Sequence, residues 1–305
     1  MFSVKTDNNL LSREMKQTPE TRKISVEASS NDSSAPVRIL FWNVNNKDLT
    51  REVCALADAT VADIVILNEN AIPSTSTLRA LRTSVSADFH LPNSLSEKRF
   101  HCFCRNPKLD MEEIHLGNRI SVRNLWLGKN KTLLVLLHGL DMRNHDDAAR
   151  QSFAQSVATE IGFVKGDKGT GKVLVLGDFN MNPYDRGMNI PAGLNAMMTR
   201  ACTVRGCRHY TGEDYDFYYN PMWGLFGDNT QGPAGTVYDT SDQGPYGWNM
   251  VDQIVVHHSL VPLFKDVKIL TQAGETSLMT KSGRPDTNSV SDHFPILASF
   301  NGGVS

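Results

Sequence analysis

The sequence predicts an α/β architecture built in layers. Three observations carry this reading: apolar runs too short for helices, amphipathic stretches between them, and polar residues set where the apolar runs stop. Runs without polar alternation read as strands buried on both faces, and such strands need covering layers above and below.

In chain order, residues 1–36 are polar and of mixed charge, with Ala28–Pro36 reading as a flexible linker. One domain is expected over residues 37–301. Val37–Val44 is its first strand. Val53, Leu56, Ala57 and Val61 recur at helical spacing, Asp63–Leu67 is a buried strand, and Leu78, Leu81 and Val85 mark a second helix. Phe89–Leu127 is less regular and is assigned to several antiparallel strands, followed by the strongly apolar strand Thr132–Leu137. Ala149, Phe153, Val157 and Ile161 form the clearest helical stripe, opened by Asp146 and Asp147 where the helix dipole favours acids. Gly166–Gly171 reads as a turn, Lys172–Leu176 as a buried strand, and Val251–Val256 and Pro295–Phe300 complete the set. Between Arg205 and Met250 lies a long stretch rich in glycine, proline and aromatics, of the kind usually kept for function.

Composition narrows the classes. The 305 residues carry a formal net charge of −2, which excludes a globally basic nucleic-acid coat protein but not an enzyme with local positive charge. Arg79–Lys131 is such a basic stretch, with Arg82, Lys98, Arg99, Arg105, Lys108, Arg119, Arg123, Lys129 and Lys131; a solvated face reads equally well. No apolar run reaches the ~18–20 residues of a membrane span. Met1–Asp7 lacks the pattern of a secretory signal, so a cytoplasmic location is expected. Cys54, Cys102, Cys104, Cys202 and Cys207 read as reduced thiols, because their spacing does not match zinc-ligand patterns.

Polar residues at strand ends carry the chemistry. Ile39–Trp42 ends at Asn43, Ile64–Asn68 at Glu69, Leu133–Leu137 at His138, and Val173–Gly177 at Asp178-Phe179-Asn180. Asp252 opens one late strand and Ser291-Asp292-His293 precedes the last. Strand ends in a layered α/β fold share an edge, so these side chains can meet in one cleft. Oxygen-rich Glu69, Asn43 and Asp292 suit Mg²⁺ or Mn²⁺. Asp178 and Asn180, two apart, share a face if the chain is extended; one can take a proton from water while the other orients it or a phosphate. His138 and His293 can donate to a phosphorane oxygen, with Asp252 holding an imidazole in its charged form. This set suits in-line attack of water on a phosphorus ester.

Trp42-Asn43-Val44, Leu67-Asn68-Glu69, Leu137-His138-Gly139-Leu140, Gly177-Asp178-Phe179-Asn180, Val251-Asp252-Gln253-Ile254 and Ser291-Asp292-His293 resemble, in this order, the motifs of the endonuclease/exonuclease/phosphatase superfamily. That superfamily includes deoxyribonuclease I, apurinic endonucleases, tyrosyl-DNA phosphodiesterases, neutral sphingomyelinases and inositol polyphosphate 5-phosphatases. The resemblance implies a four-layer sandwich, with two mixed β-sheets between helical layers. It implies a metal on Glu69 with Asn43 and Asp292 nearby, Asp178 activating water, Asn180 on the phosphate, and His293 paired with Asp252 at the transition state. His138 falls where the deoxyribonuclease I branch has a histidine. Asn68 stands where the second motif usually has glutamine, which puts in question the support of Glu69. Asn249-Met250-Val251-Asp252-Gln253 departs from the Trp-Cys-Asp-Arg motif of the 5-phosphatase branch.

A nuclease hydrolysing DNA or RNA is therefore the expected function, with a phosphatase or phospholipase-type phosphoesterase as the alternative. Pro221–Phe226 is the one apolar loop that favours the alternative by offering a membrane-docking surface. Tyr219, Trp223 and Trp248, in the aromatic segment before Asp252, are candidates for stacking on bases, while about half of that segment's aromatics are expected to pack on each other. Gly166–Lys172 imitates a phosphate-binding loop but lies between a helix and a strand in reversed order, with Val173 where Ser or Thr is needed. His257 and His258 end a strand, are expected on opposite faces, and read as surface residues.

Overall fold

A computed structural model describes residues 35–96, 99–241 and 246–302. The tail expected over 1–36 lies outside them except for Ala35 and Pro36, and so does Lys98.

The chain begins with β1 (Val37–Asn43), α1 (Thr50–Thr60), β2 (Ile64–Asn68), α2 (Ser74–Ser84) and β3 (Phe100–Cys104). It continues with β4 (Asp110–Leu116), β5 (Ile120–Leu127), β6 (Asn130–His138), α3 (Asp147–Lys168) and β7 (Val173–Asp178). Short elements follow: α4 (Arg186–Asn189), β8 (Ala196–Met197), α5 (Arg200–Thr203), β9 (Cys207–Tyr210), β10 (Glu213–Asp216), β11 (Tyr218–Tyr219), β12 (Val237–Asp239) and β13 (Gly247–Asn249). The chain closes with β14 (Asp252–His257), β15 (Phe264–Ile269), β16 (Gln272–Ala273), β17 (Thr276–Ser277) and β18 (Ile296–Phe300).

Two mixed sheets result. The first runs β15-β18-β1-β2-β3 and the second β4-β5-β6-β7-β14-β11-β8. Within them only β1/β2, β6/β7 and β8/β11 are parallel. Ile39, Phe41, Ile64 and Ile66 of the first sheet pack against Leu134, Leu136, Leu174, Leu176 and Ile254 of the second, all fully buried. The outer face of the first sheet (Leu40, Trp42, Val65, Leu67) is covered by α1 and α2 through Val53, Leu56, Ala57 and Leu81. The outer face of the second (Leu133, Val135, Val175) is covered by α3 through Ala154, Val157, Ile161 and Val164. Strands buried on both faces lose the polar alternation of half-exposed ones, which is why they were legible as plain apolar runs.

α3 is longer than its stripe suggested. Asp146 caps it, its carboxylate accepting from the Ala149 N–H at 2.8 Å. The helix runs through Gly162 and Gly166 and ends at Gly169, whose φ of +63° forms the left-handed cap. The turn expected over Gly166–Gly171 is thus only its second half. Gly166 stays helical because the propensity loss of about 1 kcal/mol is small against the buried stripe.

Candidate active site

Two of the three parallel strand pairs, β1/β2 and β6/β7, aim their carboxyl ends at one edge. On the second sheet, His138, Asp178 and Asp252 are register neighbours across β6, β7 and β14. On the first, Asn43 pairs with Asn68, and Glu69 follows directly. Gly177 is required here, since a Cβ on it would lie 1.9 Å from the Leu137 carbonyl oxygen of β6. Asp178 is carried on that close approach.

The two sheets bring their polar ends together. Asn43 Nδ2 donates to Glu69 Oε1 and to Asp178 Oδ2, both at 3.2 Å. Asn46 Nδ2 donates to Glu69 Oε2 at 3.1 Å. Glu69 adopts φ +50°, unusual for a side-chain-bearing residue, and this turns its carboxylate into the cleft. His138 Nε2 lies 3.3 Å from Glu69 Oε1 and 4.0 Å from Asp178 Oδ2. Burial, with the charges of Arg119 and Arg99, pushes the His138 pKa down to about 3, so a neutral imidazole makes this contact and not an ion pair.

His293 is held on three sides. Its Nδ1 lies 2.8 Å from Asp252 Oδ2, its carbonyl accepts from Trp42 Nε1 at 2.8 Å, and its N–H donates to Ser291 Oγ at 3.1 Å. The Ser291 hydroxyl in turn donates to the Asn43 carbonyl at 2.7 Å, tying this motif to β1. Burial works against a charged imidazole, but Asp252, Asp178 and Asp292 outweigh it and hold His293 above its ordinary pKa. Burial raises Asp178 above the carboxylate range; His293 opposes that and Asp252 adds to it. Asp252 is fully buried, and its second oxygen, Oδ1, has no hydrogen-bond partner.

Asn180 adopts φ +50°, and its N–H donates to Asp178 Oδ1 at 2.9 Å. The segment is therefore an Asx turn and not the extended chain that a shared face assumed. Asn43 is expected among the metal ligands. Its Oδ1 accepts from the Asn45 N–H at 3.0 Å, so its amide nitrogen faces the carboxylates and supplies donors. Among the described residues the cleft holds two three-membered groups of potential ligands, Glu69/His138/Asp178 and Asp178/Asp252/His293. Asp292 is in neither; its Oδ1 lies 4.0 Å from His293 Nε2. Asn68 is buried with both amide atoms unpartnered and makes no hydrogen bond to Glu69. Asn46 does so instead, from the run Asn45-Asn46 just beyond the first motif.

Glu69 and Asp178 converge without a lysine or arginine ion pair to either, among the described residues. Two hard oxygen donors in that state fit a divalent cation that keeps much of its water, as Mg²⁺ does.

The stacking candidates divide. Tyr219 lies beside Val256 on β14, four positions from Asp252. It packs against Phe264 at 5.9 Å, with the Arg200 guanidinium 5.2 Å over its ring. It serves the core and not the cleft. Trp223 sits in a 3-10 turn, Pro221–Gly224, with its indole N–H buried and unpartnered. The apolar loop Pro221–Phe226 is turned inward: Pro221 and Met222 are buried, and Leu225 and Phe226 pack on the inter-sheet core. Only Trp248 lies beside the site, stacked on Phe294 at 6.4 Å and edge-on to Tyr238 at 5.2 Å. The hairpin of β12 and β13 that carries it is anchored by a bridge from Val237 to His293. Two cations also stand at the rim. Arg99 Nη1 lies 3.4 Å from His138 Nδ1, and Arg119 Nη1 donates to the Gly139 carbonyl at 2.7 Å. The basic stretch was visible in the sequence, but not which of its members reach the cleft.

No family model and no curated protein matches the chain. Solved structures do. Truncated TDP2 from Caenorhabditis elegans is 17% identical, with a TM-score of 0.53 over 87% of this chain and 98% of that one. An endonuclease/exonuclease/phosphatase family protein from Bacteroides thetaiotaomicron is 14% identical, with a TM-score of 0.53 over 87% of this chain and 98% of that one. The fold is that of the endonuclease/exonuclease/phosphatase proteins. TDP2 from D. rerio, crystallised with single strand DNA product, shares this endonuclease/exonuclease/phosphatase fold at 16% identity and a TM-score of 0.52, over 88% of this chain and all of that one. No helix among the described residues is long and apolar enough to cross a membrane.

Proposed function

We propose that this chain is a divalent-metal-dependent phosphodiesterase acting on nucleic acid. The observation that carries the reading is the facing pair of polar sets: Glu69 and Asp178 converging on the Asn43 amide, and His293 bonded to Asp252 at 2.8 Å. One set suits a cation and a proton acceptor, and the other suits a proton donor or charged hydrogen-bond donor. That TDP2 of the same fold was crystallised with single strand DNA product favours a nucleic-acid substrate.

Mg²⁺ or Mn²⁺, held through Glu69 with Asp292 adding negative charge nearby, would neutralise the phosphate. Asp178 takes the proton of the attacking water, and burial makes it the stronger base. His293, kept protonated by Asp252, donates to the phosphate oxygen where charge develops. Asn180 contacts the phosphate from the Asx turn. His138, neutral, contacts Glu69 and Asp178. Arg99 and Arg119 attract the backbone, and Trp248 offers a ring face to a base. A cytoplasmic setting is part of this reading.

Purified protein is incubated with single- and double-stranded DNA and RNA in Mg²⁺ or Mn²⁺, and product ends are analysed. Cleavage is expected, and its loss in Asp178→Ala and in His293→Ala. Hydrolysis of a lipid or small phosphate ester with all four polymers left intact overturns the reading in favour of a phosphatase or phospholipase.

A further inference from the structure

At the other end of β14, five residues and roughly 17 Å from Asp252 at strand rise, lies a second cluster of ligating side chains. His257 closes the strand and His258 opens a 3-10 turn, His258–Leu260. The change of backbone conformation between them cancels the alternation expected of a strand. Their rings sit side by side, with centroids 4.2 Å apart, instead of on opposite faces. His257 is buried, against its reading as a surface residue. Asp216, the last residue of β10, faces them: its Oδ2 lies 3.3 Å from His257 Nε2. One donor atom from each of Asp216, His257 and His258 lies within 4.8 Å of the other two.

From this geometry we propose a second metal site, a His257–His258–Asp216 clamp for zinc or a similar borderline divalent ion, separate from the catalytic cleft. Two imidazoles and one carboxylate are a donor set that suits zinc and not magnesium. His257 supplies an independent observation. Its side chain is 5% exposed, and its Nε2 makes no hydrogen bond. Nε2 faces the Asp216 carboxylate at 3.3 Å, and this contact, together with Lys165, holds Asp216 below the usual carboxylate range. His257 Nδ1 lies 2.9 Å from Ser259 Oγ and accepts from the Ser259 N–H at 3.3 Å, so the Nε2 proton faces Asp216 and a metal has to displace it. Zn–N bonds of ~2.0–2.1 Å place tetrahedral donors roughly 3.3 Å apart, a spacing His257 and Asp216 already have, while the wider gaps, within 4.8 Å, close by up to about 1.5 Å. Half-buried His258 and Asp216 can supply that movement. A cavity of about 330 Å³, lined by Lys165, Asn195, Asp216 and Tyr218 among others, borders the cluster on the Asp216 side.

Lys165 is the built-in competitor. Its ammonium contacts Asp216 Oδ2, so a metal must displace it. The side chain is 22% exposed and can swing into solvent. Bound metal would then tie the β9–β10 hairpin to the end of β14, a cross-link where small elements have little core of their own.

The test is zinc alone, titrated calorimetrically into the full chain with excess Mg²⁺ to occupy the cleft. Wild type is expected to bind one Zn²⁺ per chain. His258→Gln weakens it by at least about tenfold, in line with the sensitivity of such sites to altered coordination, and leaves Mg²⁺-dependent cleavage unchanged. Lys165→Met, which keeps the carboxylate and removes the competing ammonium, tightens it severalfold. This arm stays decisive should His258→Gln fold poorly. Absence of zinc binding in wild type overturns the proposal. So does binding equal in wild type, His258→Gln and Lys165→Met, or binding abolished by Glu69→Ala, which would place the ion in the cleft.

Discussion

Arg123 is 0% exposed, and replacing it with methionine leaves a buried carboxylate behind. Its Nη2 lies 3.6 Å from Glu113 Oε1 and donates to Ser94 Oγ at 2.9 Å, while Nη1 donates to the Met111 carbonyl at 3.1 Å. Glu113 is also buried; its oxygens accept from Ser121 Oγ and from the N–H groups of Leu95 and Ser96. Methionine fills much of the volume but strands the Glu113 charge, a change that typically costs about 3–5 kcal/mol. At ~2–4 °C per kcal/mol for a domain of this size, Tm falls by roughly 6–20 °C. The double variant Glu113→Gln/Arg123→Met keeps an acceptor for the loop 94–96 and removes the stranded charge, so it recovers at least about half of the loss. Urea unfolding followed by tryptophan fluorescence measures both. At low temperature the cleavage rate of the single variant stays within about twofold, since the pair touches none of the cleft residues. A single variant within about 1 kcal/mol of wild type, or a double variant no better than the single, would refute the argument from buried charge.

Four further outcomes are expected. Glu69→Ala lowers Mg²⁺ affinity and activity together in a metal titration of the cleavage rate; unaltered metal dependence contradicts its assignment. Arg99→Ala raises KM and flattens the dependence of binding on salt by about one counterion, with little change in kcat; an unchanged salt slope argues against backbone contact. Gly177→Ala drives a Cβ to 1.9 Å from the Leu137 carbonyl and is expected to cost more than about 3 kcal/mol or to prevent soluble expression, whereas a near-normal Tm would contradict the close approach. Burial pushes the Cys104 thiol up to about 12. Its folded pKa thus lies above the unfolded value of ~8.5, so its stabilising contribution is complete below that pH and is lost as pH rises toward 12, on the order of 1 kcal/mol per pH unit. Cys104→Ala should flatten the alkaline limb of a stability–pH profile, and an identical limb in both proteins would sink the reasoning.

The layered fold was legible because its central strands are apolar on both faces, and β1, β2, β6, β7 and β14 appear close to where their runs placed them. Strand-end residues were legible for the same reason: a polar residue ending such a run has only an edge to occupy. The missing information was set by local backbone choices and distant contacts. Left-handed Asn180 converts an apparent two-residue repeat into an Asx turn, and a 3-10 turn at His258 undoes strand alternation. The orientation of the Asn43 amide depends on Asn45 and on Asp178, the latter 135 positions away. Aromatics carry no label for core or cleft, so Tyr219 and Trp248 looked alike although Phe264 claims one and Phe294 brings the other beside His293.

Nothing covalent sets the gap between Glu69 and Asp178, which hang from different sheets. The apolar layer between those sheets acts as a spacer, and stacked sheets keep their separation, ~10 Å, only through the bulk of the side chains between them. Ile66 and Leu136, each two residues from the last residue of a strand and in contact with no ion, therefore help gauge the width available to a cation and a phosphate. The catalytic dimensions of the protein are in this sense written in hydrocarbon.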